Sequence, residues 1–196
     1  MHHLTSQSST AGVSNSSFFR RPIFRAFVAL RFMPQKALHS SGRLSQALGI
    51  TISSNRYGAL NLYHRDFVLM PHDGGNSENT VTFIRHLQNL NPDKKLILIW
   101  DGASYHRSEE VRAYLNKVNE DLEEKNWKVT CLLFAPNAPE QNPVEDVWLR
   151  GKNFLRKHFY KNKTFRQVKR CFSDFINQQT FDFNKIDWYL NIPQSV

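Results

Sequence analysis

The stretch "KKLILIW", Lys94 to Trp100, constrains the fold more than any other part of the chain. Leu96 to Trp100 are apolar at every position, so the run is strand-sized and has no polar face. Successive residues of a strand point to opposite sides, so both sides of this one must be covered; it predicts a central strand with helices packed on either face. A second run, "KVTCLLFAP", Lys128 to Pro136, reads as another buried strand. No run of 18 apolar residues occurs, and the sequence predicts no membrane-spanning helix and no membrane partner.

Between and around these strands the pattern is helical. "NSENTVTFIRHLQNLNP" offers Ser77 as a cap, places Val81, Ile84, Leu87 and Leu90 at mostly helical spacing, and stops at Asn91-Pro92. Ser108 is the natural N-cap of the next helix, in which Val111, Tyr114, Leu115, Val118 and Leu122 form an apolar stripe. The helix beginning near Pro143 carries Val147, Trp148, Phe154 and Leu155 on one face with Gly151. Thr164 starts another, with Phe165, Val168, Phe172 and Phe175 as its core side. Upstream, "ITISSNRYGALNLYHRDFVLMPHDGG" from about Ile50 reads as a β meander closed by a turn. Meander, α, β, α, β, α is the order of an α/β fold with a mixed sheet and helices on both faces.

Charge is unevenly placed. The formal net charge is +9, yet Met1 to Arg65 contain no Asp or Glu while holding eight Lys or Arg residues. A second acid-free block, Arg150 to Arg170, holds nine on a helical pattern, which suggests a polyanionic partner such as DNA. Residues 1–47 combine a Ser/Thr-rich start with an aromatic, Arg-rich continuation. They are expected to be a disordered or non-native basic leader, with a transit peptide or a nucleic-acid arm as the other readings. Cys131 and Cys171 match no metal spacing and read as reduced core residues.

Functional groups in open α/β sheets collect at the carboxyl ends of strands, which singles out Asp101 and Glu145. If the two apolar strands are parallel neighbours, these carboxylates converge, as a divalent cation requires. Each has a structural reading too. Asp101-Gly102 could be a strand-ending turn, and Glu145 stands three residues after Asn142 in an N-x-x-E variant of the capping box, with Pro143 at the first helical position. His106 either caps the next helix or sits exposed, or else contacts phosphate or water near a metal. Lys152 and Arg156 share a helical flank with Glu145 and form either a solvated basic face or a phosphate-binding edge.

Taken together, "LILIWDGASYHRSEEVRAYL" and "LLFAPNAPEQNPVEDVWLRGKNFLRK" resemble the catalytic region of DDE-superfamily transposases of the mariner-like bacterial insertion-sequence group. Asn142, Pro143, Val144, Glu145, Trp148 and Lys152 follow the family pattern in order. The resemblance covers roughly residues 48–190 and assigns 48–196 to a partial catalytic domain. It implies a ribonuclease H-like fold, with two Asp and one Glu that bind two Mg²⁺ (or Mn²⁺) ions and drive DNA cleavage and strand transfer. Asp101 would be the second acid and Glu145 the third, both metal ligands, with His106 and Asn142 supporting them and Lys152 and Arg156 on the DNA. It further implies transposon-end and target DNA as partners, a homodimer or association with an intact transposase, and a bacterial cytoplasmic, nucleoid-associated location.

One part of the family pattern is missing. The first Asp belongs on the opening strand, ahead of the meander, where this chain has no carboxylate, and Asp66 falls too late to replace it. The helix-turn-helix domain of the family is missing as well. The expectation is therefore a truncated or frameshifted transposase with weak or no catalysis. The rivals are an inactive DNA-binding remnant that interferes with an intact transposase, and an organelle-imported nuclease.

Overall fold

The computed structural model describes the backbone of residues 25–33, together with residues 56–135, 139–162 and 164–190. Its centre is a five-stranded sheet made of β1 (Arg25–Met33), β2 (Arg56–Asn61), β3 (Phe67–Pro71), β4 (Lys95–Trp100) and β5 (Val129–Leu133). The strand order is β3-β2-β1-β4-β5. β1 runs antiparallel to β2 and parallel to β4, while β4 and β5 are parallel neighbours. The helices are α1 (Ser77–Leu90), α2 (Glu109–Val118), α3 (Pro143–His158), α4 (Phe165–Asn177) and α5 (Asn184–Leu190). Among the described residues, no helix is long and apolar enough to cross a membrane.

The apolar run of β4 does what its pattern demands. Leu96, Leu98 and Trp100 enter one core with Phe83, Ile84 and Leu87 of α1 and Val111 of α2. Ile97 and Ile99 enter the other, with Val144, Val147, Trp148 and Leu155 of α3, Phe172 and Ile176 of α4, and Ile186 of α5. The sheet is thus a mixed layer with helices on both faces. Gly58 on β2 permits the close approach of α3, since a Cβ there would collide with the rings of Phe67 and Trp148.

Several local expectations change. The segment set aside as a leader supplies β1, the middle strand of the sheet; the rest of residues 1–47, and Ile50 to Asn55 of the expected meander, lie outside the described residues. An acid-free, Arg-rich composition hid a strand whose place is fixed by pairing on both sides. β5 is an edge strand rather than a buried one, with Leu132 and Leu133 exposed, because among the described residues no strand covers its outer side. Asn76, not Ser77, caps α1 by accepting from the Asn79 amide at 2.8 Å. Cys131 and Cys171 are free thiols of intermediate burial, packed against the two cores.

A complete capping box forms at the start of the helix following α3. Thr164 and Gln167 exchange both of its bonds at the start of α4. At the start of α3, Asn142 Oδ1 accepts instead from the Val144 amide at 3.0 Å, and the Glu145 amide donates to the Asn142 carbonyl. Glu145 therefore sits in the first helical turn.

Candidate functional site

Trp100 ends β4 beside Leu133 at the end of β5, and the Phe134 amide donates to the Trp100 carbonyl at 2.9 Å. The chain then leaves the sheet at this one edge twice, through Asp101 after β4 and through residues 134–142 into α3 after β5. That is the parallel arrangement from which the two carboxylates, Asp101 and Glu145, can serve one site.

Asp101 is held by its own loop. Its Oδ1 accepts from the Ala103 amide at 3.1 Å, and the 3₁₀ turn Ser104–Arg107 brings His106 back over it. The His106 side chain is fully buried, lies flat on the Trp100 indole with ring centres 4.4 Å apart, and places Nδ1 3.1 Å from the Asp101 carbonyl and 3.2 Å from its carboxylate. With Asp101 ionised, Nδ1 carries the proton and donates. Nε2 is buried and has no partner among the described residues. His106 is thus neither a helix cap nor an exposed side chain; it positions Asp101.

The loop before Glu145 is fixed by α5, which sequence reasoning did not connect to the site. Lys185 Nζ pairs with Asp146 at 2.6 Å and donates to the Glu140 carbonyl at 2.7 Å, while the Tyr189 hydroxyl donates to the Gln141 carbonyl at 2.8 Å. Nothing local in "NKIDWYL" signals these contacts, which join residues far apart in the chain. Asn142 is 2 % exposed, with its side-chain amide nitrogen buried and unbonded among the described residues. Pro143 opens α3 as expected.

Lys152 and Arg156 follow seven and eleven residues after Glu145 on the same helix. Lys152 is half-buried, whereas Arg156 is exposed and donates to Asn153 at 2.7 Å. They extend along α3 away from the carboxylate.

The opening strand completes the geometry. Leu30 of β1 pairs with Trp100, so the next residue, Arg31, stands level with Asp101. None of the nine residues of β1 is acidic. Asp101 and Glu145 are hard oxygen donors suited to one Mg²⁺ or Mn²⁺, which completes its shell with water and phosphate oxygens. They do not amount to the donor set of a two-ion centre, and among the described residues no group of three or more His, Cys, Asp or Glu is placed to hold a metal.

Comparison with known proteins agrees with this architecture. A family model described as DDE superfamily endonuclease matches residues 42–169. A comparison with curated proteins gives no match. Among solved structures, the chain is similar to one in the simian T-cell lymphotropic virus intasome in complex with PP2A regulatory subunit B56 gamma, with TM-score 0.57 and 10% identity over 84% of this chain and 53% of that one. It therefore spans about half the length of that relative. It is also similar to the catalytic core domain of BIV integrase, with TM-score 0.50 and 10% identity over 84% of this chain and 93% of that one. At such identity the likeness establishes a shared ribonuclease H-like fold.

Proposed function

Because the chain belongs to the DDE superfamily endonucleases, we propose that it engages DNA with the cleavage and strand-transfer site of a transposase, using Asp101 and Glu145 as its acidic residues. The observation that carries this reading is topological: Asp101 leaves β4 and Glu145 enters α3 directly after β5, and β4 and β5 are adjacent and parallel. The order Asn142, Pro143, Val144, Glu145, Trp148 and Lys152 is what points to the mariner-like insertion-sequence group.

Mg²⁺ or Mn²⁺ held by Asp101 and Glu145 would polarise a phosphoryl oxygen and offset its developing charge. The protein's own part is positional. His106, stacked on the Trp100 indole, holds the Asp101 carboxylate through Nδ1, and Lys185 and Tyr189 fix the turn that presents Glu145. Lys152 and Arg156 supply cations for the backbone of transposon-end or target DNA. A second copy or an intact transposase is the protein partner this reading implies.

Catalysis is impaired, because β1 brings Arg31 rather than a carboxylate to the level of Asp101. This observation also favours a second reading, a DNA-binding protein that keeps the fold without the cleavage. Nicking and binding of labelled DNA with Mg²⁺ or Mn²⁺ decides between them. Slow nicking lost in Asp101→Asn and Glu145→Gln supports the first, binding without nicking supports the second, and neither binding nor nicking refutes both.

A further inference from the structure

The end of α3, the turn Phe159–Lys161 and the start of α4 form a corner on one side of the sheet. α4 folds back on α3, with the Phe154 and Phe175 rings stacked 4.0 Å apart, and Asn162 Nδ2 closes the turn by donating to the His158 carbonyl at 3.2 Å. Lys157, Tyr160, Lys161 and Arg166 are all exposed at this corner. Tyr160 is 77 % exposed, and the Lys161 ammonium lies 5.7 Å from the centre of its ring.

No acidic side chain pairs with these cations. The block Arg150 to Arg170 holds nine Lys or Arg and no acid. All 17 Asp and Glu residues fall within the described residues, and the first one after the block, Asp174, is engaged by Arg170 at 3.6 Å. Helix electrostatics explains part of this arrangement. A cation in the last turn of a helix, where Lys157 stands in α3, is stabilised by the free carbonyls there. Arg166 stands in the first turn of α4, where the dipole favours an acid and none is present. The helices on the other side of the sheet differ. On α2 and just after it, Glu109, Glu110, Glu120 and Glu123 alternate with Arg112, Lys117 and Lys125, and α2 packs into the opposite core from α3. One layer mixes both signs while the corner holds a single sign, so a polyanion is steered to the corner.

We propose that Lys157, Tyr160, Lys161 and Arg166 form a contact surface for the backbone of duplex DNA, apart from the phosphate engaged at Asp101 and Glu145. This inference rests on the DNA reading above and adds to it where and in what form the DNA continues. Lys157 follows Glu145 by twelve residues on one helix, roughly 18 Å at the ordinary helical rise. That is the axial length of about five base pairs. The cations meet phosphates and the Tyr160 hydroxyl donates to a phosphate oxygen, contacts that fix the register of a duplex without reading its sequence. A single strand calls for several stacking rings along its path, whereas the corner offers one exposed ring among the described side chains.

The test uses the full chain and fluorescence anisotropy with a labelled DNA duplex two helical turns long, across a salt series. Changing Lys157→Gln, Lys161→Gln and Arg166→Gln together should lower the slope of log K against log salt by about 2 to 3, at about 0.9 per lost phosphate contact. Because all three are exposed, the Tm of this variant should be no lower than the parent's. Arg112→Gln, Lys117→Gln and Lys125→Gln, an equal loss of charge in the α2 layer, should leave the slope unchanged. Tyr160→Phe should weaken binding with the slope kept, since a hydroxyl releases no counterion. A parent-like slope in the first variant overturns the proposal, and so does an equal fall in both, which reduces the effect to net charge. A fall seen with a single strand and not with the duplex overturns the duplex assignment. A parent protein that binds no DNA refutes the DNA reading and this surface with it, a result distinct from duplex binding that ignores the three cations.

Discussion

β1 and β4 lie side by side in the middle of the sheet, parallel and in register over six residues, and they end in opposite chemistry. Both run apolar through their centres, as strands flanked on either side must. β4 then delivers Asp101 to the functional edge, whereas β1 passes through Leu30 to Arg31 at the same level. Filling a central strand and binding a cation are thus tasks of different residues on one strand. The first can persist where the second is lost, because a sheet is held by ladders and apolar packing rather than by its terminal carboxylates.

The comparison can be broken most severely by removing residues 1–33. If β1 is structurally equal to β4, its loss separates β2 from β4 and abolishes cooperative thermal unfolding; a shortened chain that melts like the parent would show that β1 is dispensable. Leu98→Ala, at a fully buried position on β4, should cost about 2–5 kcal/mol in urea unfolding. Next comes a pH effect at Cys131, which pairs with Leu98 across the β4–β5 ladder and whose thiol is pushed up to about 12 by burial. Since the unfolded thiol ionises first, near pH 9, stability should fall between pH 9 and 12 in the parent and fall less in Cys131→Ala. The smallest effect belongs to the edge: Leu133→Lys, at a residue 57 % exposed, should change stability by no more than about 0.5 kcal/mol.

Much of this was legible in the sequence where a pattern carries its own cause. The unbroken apolar run of β4 announced burial on two faces, and Ser108 and Thr164 announced helix starts through their side-chain caps. β1 was not legible, because "RAFVALRFM" is a strand only by virtue of partners more than twenty residues away, and its composition imitates a leader. β5 was recognised as a strand but not as an edge, since an apolar run does not reveal what lies beside it. At the site, Asp101 and Glu145 could be selected from their places after strands, but the stacking of His106 on Trp100 and the reach of Lys185 to Asp146 depend on tertiary geometry alone.

On the proposed reading the site is one carboxylate short, because β1 carries Arg31 at the level of Asp101. Calorimetric titration with Mn²⁺ of the parent and of Arg31→Asp tests it directly. The account predicts weak binding in the parent and at least about tenfold tighter binding in the variant, equivalent to about 1.4 kcal/mol, with the gain removed by adding Asp101→Asn. Equal Mn²⁺ affinity in parent and Arg31→Asp would contradict it.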